Sequence, residues 1–129
     1  MKFTLYRATK KFMSTLNHDD SNLTLHRNRS HEGLGEEGLA KMVATVQEML
    51  DKGHLIPAAT VTTEFDGVYE LTNTIQHNWV DNDGVEVIDE STFLSSTSVG
   101  DIFTDENNQA YIVTCFDIVP VEFNFKQAA

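Results

Sequence analysis

Ser95-Ser96-Thr97-Ser98-Val99-Gly100-Asp101-Ile102-Phe103 is the stretch on which the fold turns, because a hydroxyl-rich turn, one glycine and one aspartate run directly into an apolar strand. Gly100 allows a backbone conformation with positive φ, Asp101 can hydrogen-bond the local backbone, and Ile102 with Phe103 opens the strand. The apolar run from Ala110 to Phe116 answers it across a turn at Asp105 to Gln109. This end of the chain therefore predicts a hairpin. Asp117 to Phe123 is extended and apolar enough to dock beside it, with Pro120 suited only to an edge. Asn124 to Ala129 reads as a frayed tail.

Upstream, Lys2-Phe3-Thr4-Leu5-Tyr6 alternates polar with apolar and predicts a half-buried strand. Thr9 is placed to cap a short helix through Asn17, with Phe12, Met13 and Leu16 on one face. The clearest element is a helix from Glu36 to Lys52. Leu39, Met42, Val43, Val46, Met49 and Leu50 form its apolar stripe, Gly53 caps it and Pro57 prevents its continuation. Ala58 to Glu64 predicts a strand with Ala59 and Val61 facing one way. Asp66 then caps a short helix over Val68 to Asn73, with an Asp66-Gly67 hairpin turn as the alternative. Val85 to Ile88 is a further short strand. The sum is an α+β fold in one domain, residues 1–129: a mostly antiparallel sheet, the 36–52 helix packed on a face, and one or two short helices. Core positions are Phe3, Leu5, Leu39, Val43, Val46, Leu50, Val61, Leu71, Ile102, Ile112 and Val113.

Of the 129 residues, 40% are apolar and 22% charged, ordinary values for a folding chain. One cysteine excludes an intrachain disulfide, and no window approaches the ~18 apolar residues of a membrane helix. A soluble protein of the host-cell cytoplasm is expected. The net charge of −11 is unevenly laid out. Residues 1–57 carry eight Lys or Arg against seven Asp or Glu, whereas residues 58–129 carry Lys126 against thirteen acids. Phosphate contacts need cations, so direct nucleic-acid binding by the second half is disfavoured. Its acids either solubilise the protein or attract a basic groove on a partner.

Leu71-Thr72-Asn73-Thr74-Ile75, Trp79, the run Ser96 to Asp101, and Ala110-Tyr111-Ile112-Val113 together resemble a family of small tailed-bacteriophage proteins that carry this signature. The resemblance covers the last half of the chain. It implies phage origin, favours the short helix after Asp66, and marks Trp79, Ser96, Thr97, Ser98, Gly100 and Asp101 as the structural signature. In that family the run follows an arginine. Ser95 stands there in this sequence, so no role of that arginine passes to it.

Chemistry-bearing patterns are sparse. Gly33 to Gly38 matches G-x-G-x-x-G, but no strand leads into it and Glu36 and Glu37 occupy the place of a pyrophosphate, so the run reads as helix initiation. Asp81-Asn82-Asp83-Gly84 lacks the first carboxylate of a calcium loop, that position being Trp79. Trp79 is a core anchor near a rim or an exposed binding anchor. Ser96, Ser98 and Cys115 are potential nucleophiles and His77 a potential base, yet no local signature joins them, and Cys115 reads as a buried thiol in an apolar strand. No catalytic residue, metal ligand or cofactor is assigned.

His18 to Gly35 reads as an irregular loop with Leu23 and Leu25 as a possible short strand. Its His26, Arg27, Arg29 and His31 form an alternative binding loop for an anion or a partner's carboxylates. The preferred expectation is a small acidic phage-type binding protein that occupies a host or phage protein during infection. The surface would be Asp81, Asp83, Glu86, Asp89, Glu90, Asp105 and Glu106, with no membrane and no direct nucleic-acid contact. One alternative is a DNA mimic that blocks a nucleic-acid enzyme. Others are an enzyme acting on a small molecule or nucleotide, built from the 18–35 loop and the 96–101 turn, and a minor virion component.

Overall fold

The computed structural model describes residues 1–30, 35–74, 77–115 and 117–125. In chain order it forms β1 (Lys2–Ala8), α1 (Lys10–Ser14), α2 (Asp20–Arg29), α3 (Gly35–Asp51), β2 (Leu55–Thr62), α4 (Gly67–Thr72), a 3-10 turn (Trp79–Asp81), β3 (Val85–Val87), β4 (Ile102–Thr104), β5 (Ala110–Val113) and β6 (Ile118–Val121). The strands make one antiparallel sheet in the order β3-β2-β1-β4-β5-β6. The fold is α+β.

β1 alternates, and both of its faces are buried. Phe3 and Leu5 pack with Ala59, Val61, Val68, Trp79, Phe103 and Val113, under α4 and the 3-10 turn. Ala8 faces the other cluster, where Phe12 of α1, Leu25 of α2 and Met42, Val46 and Met49 of α3 cover Leu55, Ile102 and Ile112. The sheet is thus covered on two faces rather than the expected one. Within α3 the most buried line is Gly38, Met42, Val46 and Met49. Leu39 and Leu50 flank it half-buried, Val43 is half-buried too, and Leu71 only partly covers the opposite cluster.

Several boundaries differ from the sequence reading. β2 begins at Leu55, ahead of Pro57, because β1 shifts register between Leu5 and Tyr6 and leaves Ala58 without a β1 partner. β3 pairs only Ala59 to Val61, so the missing Pro57 N–H interrupts no second ladder. Residues 20–29, read as loop or strand, are α2. Asp19 caps it by accepting from Asn22 N at 3.0 Å, and His26, Arg27 and Arg29 lie in its last turn, where cations suit the helix dipole. Asp66 stands at the N-cap of α4 but its side chain makes no capping hydrogen bond.

Gly100 has φ +89, as its turn requires, and its N–H donates to Val113 O at 2.8 Å while Val113 N donates to Asp101 O at 2.9 Å. β5 stops at Val113. Cys115 therefore falls beyond the strand and is exposed, not buried. The tail is docked as far as it is described: Asn124 exchanges backbone hydrogen bonds with the Gln47 side chain, and Phe125 lies 5.3 Å from Tyr6.

Candidate functional site

The signature run is a connector whose Thr97, Gly100 and Asp101 are buried and directed at two arginines. Arg7 ends the apolar face of β1 and is 1% exposed. Its Nη1 donates to Tyr6 O at 2.8 Å, Nε to Ser95 O at 3.0 Å and Nη2 to Thr97 Oγ1 at 2.6 Å. The guanidinium also lies 5.5 Å from the centre of the Trp79 ring, within cation–π range. Asp101 Oδ2 accepts from Ser98 N at 2.8 Å and stands 4.0 Å from Arg7 Nη1, while Oδ1 takes Nη2 of Arg29. Arg29 Nε donates to Gly100 O at 3.1 Å.

Thr72 and Asn73 extend this network. Thr97 N donates to Thr72 O at 2.8 Å, the two threonine hydroxyls are 2.6 Å apart, and Asn73 Nδ2 donates to Thr97 O at 2.7 Å. Trp79 is buried, its Nε1–H donating to Leu94 O at 3.3 Å, so it is a core anchor. A side chain at Gly100 would bring its Cβ to 2.4 Å from Arg29 O. Ser96 and Ser98 expose their side chains. Two cations against one carboxylate leave the cluster at +1, and burial pushes the Arg7 pKa below its usual value, with Asp101 opposing that shift and Arg29 adding to it.

A pocket of about 330 Å³ opens beside the cluster, lined among others by His26, Arg29, Phe93, Ser98 and Asp101. It joins α2 to the 96–101 turn, as the enzyme alternative requires. The polar groups around it are paired as follows. Asp101 is committed to arginine, and among the described residues no hydrogen bond joins Ser98 to His26 and His26 Nδ1 has no partner. Burial, then Arg29, lowers the His26 pKa, which keeps the ring neutral near neutrality. His77, the other potential base, is hydrogen-bonded to Asn82 Oδ1 rather than to a serine. Nor do His26, Arg27 and Arg29 act as one loop: α2 buries Arg29 and exposes Arg27, and His31 lies outside the described residues. Among the described residues no three His, Cys, Asp or Glu side chains are grouped to hold a metal ion, and no described helix is long and apolar enough to cross a membrane.

The seven acids divide into two places. Asp81, Asp83, Glu86 and Glu90 are exposed along the β3 edge of the sheet, with Asp89 half-buried among them. The Asp89 carboxylate accepts from Ser91 Oγ at 2.5 Å and Ser91 N at 2.9 Å, which holds its pKa below the usual carboxylate value. Asp105 and Glu106 lie in the β4–β5 turn, across β2 and β1 from that edge. Asp105 is a turn-builder: it accepts from Asn107 N at 2.8 Å, Gln109 N at 3.0 Å and the Tyr111 hydroxyl at 3.2 Å. Glu106 accepts from Lys2 N at 3.0 Å. Five of the seven therefore follow one another along the sheet edge.

Comparison of the chain with protein-family models, with curated proteins and with solved structures gives no match.

Proposed function

We propose that this is an acidic protein-binding module whose β3 edge takes a cationic surface of a partner protein. In line with the tailed-phage resemblance, the partner is a host or phage protein met during infection. The observation that carries the reading is the charge at that edge. Asp81, Asp83, Glu86, Asp89 and Glu90 occur within ten residues, and from Gly53 to Phe125 the chain holds no lysine or arginine to offset them. The Arg7–Asp101–Arg29 cluster sharpens this by withdrawing two cations and one acid from the surface. With that cluster at +1, the remainder of a chain of formal charge −11 carries −12.

A protein groove suits the edge better than imitation of a DNA strand. Alternate residues of a strand lie roughly 6.6–6.8 Å apart on one face, close to a phosphate spacing. On that face of β3, however, Glu86 stands between Gly84 and Ile88, and Ile88 is 49% exposed. A partner must therefore offer cations and an apolar contact together. The test is affinity capture from bacterial lysate at low and high salt, with wild-type protein and the Asp83→Asn, Glu86→Gln, Asp89→Asn variant. The expected result is a basic-surfaced protein kept by wild type and lost from the variant. Equal retention by both would contradict the reading.

A further inference from the structure

The ladder between β2 and β3 fixes where each backbone group of β3 points. Thr62 N donates to Gly84 O at 2.8 Å and Ile88 N to Ala58 O at 2.9 Å, on either side of the pair Thr60 and Glu86. Glu86 is then the residue that exchanges both bonds with β2, and Val85 and Val87 turn their backbone groups away from it. The Val85 N–H is taken by Asn82 O at 3.2 Å. The Val85 carbonyl and both Val87 groups are left on the outer edge with no protein partner among the described residues.

We propose that this outer edge accepts an extended cationic segment of the partner protein, which adds to the sheet as a seventh strand. The inference rests on the proposed function and deepens it by naming the mode of docking. Main-chain bonds from the open groups of Val85 and Val87 supply attachment, and the flanking acids select lysine or arginine. A second copy of this chain is the wrong occupant. Pairing β3 with β3 sets acids against acids, the arrangement by which natural edges avoid self-association. A cationic strand reverses that repulsion, and the exposed Ile88 offers it one apolar contact.

The probe is an alternating lysine–valine octapeptide, followed on isotope-labelled protein through the Val87 amide and by binding isotherms. Strand addition predicts that the Val87 amide shifts and its hydrogen exchange slows on saturation. Val87→Pro removes the outward donor without touching the β2 ladder, and is expected to weaken binding roughly tenfold. Its melting temperature is measured alongside, and if the variant does not fold, the wild-type amide exchange decides. Wild-type affinity in Val87→Pro, with an indifferent Val87 amide and with binding still lost in the acid-neutralised variant, overturns strand addition and leaves cation docking standing. Peptide binding that is absent, or unaffected by either variant, overturns both.

Discussion

Arg7 and Arg29 are held by one carboxylate, so two buried cations depend on Asp101. Asp101→Asn leaves two buried guanidinium groups without a counter-charge, and breaking a buried pair in this way costs about 3–5 kcal/mol. Urea unfolding of the variant is the check, and a loss below about 1 kcal/mol would show that water already screens the cluster. Two histidines give a second effect with a definite sign. Burial lowers the pKa of His26, reinforced by Arg29, and that of His54, where Lys52 adds to the lowering while Asp19 and Glu48 oppose it. The folded chain thus refuses a proton that the unfolded chain accepts. The corresponding stability is present above the ordinary histidine value near pH 6.5 and is lost as pH falls through it toward the lower folded values. Urea midpoints at about pH 7.5 and about pH 5.5 are expected to separate more for wild type than for a His26→Gln, His54→Gln double variant. Equal separations would place these rings in water.

At the level of elements, α3 supplies the test of packing. Val46 is fully buried against the sheet, so Val46→Ala should lose on the order of 1–3 kcal/mol by removal of buried methyl groups. An unchanged thermal melt would mean that the stripe is open to a partner. α3 was legible because its apolar positions repeat at helical spacing, and the start of β4 because Gly100, in the turn just before it, has the positive φ that turn demands. α2 was not. Its only buried residues are Leu25 and Arg29, so it has almost no apolar stripe, and its signals are the Asp19 cap and the cations of its last turn. Cys115 was misplaced for a related reason: an apolar run shows that a strand passes, not the residue at which pairing ends. The acidic edge was readable as composition, while its division from Asp105 and Glu106 depends on strand order. The pairing of Arg7 and Arg29 with Asp101 joins residues far apart in the chain, and nothing local announces it.

Across the whole molecule, the fold and the charge layout act together. Packing on both faces leaves the sheet with two edges, β3 and β6, and Pro120 lies on β6, where it offers no N–H to a partner. Among the described residues β3 is the edge that keeps an outward N–H open, at Val87, and it is also the edge lined with acids. Exposed charges of this kind mainly steer encounter, so their neutralisation should act on association more than on dissociation. The decisive measurement is the association rate of the captured partner with wild-type protein and with the Asp83→Asn, Glu86→Gln, Asp89→Asn variant, from about 0.05 to about 0.5 M salt. The account predicts a wild-type rate that falls steeply with salt, a variant rate lower at low salt and flatter, and dissociation rates that differ little. An association rate indifferent to both salt and these substitutions would contradict it.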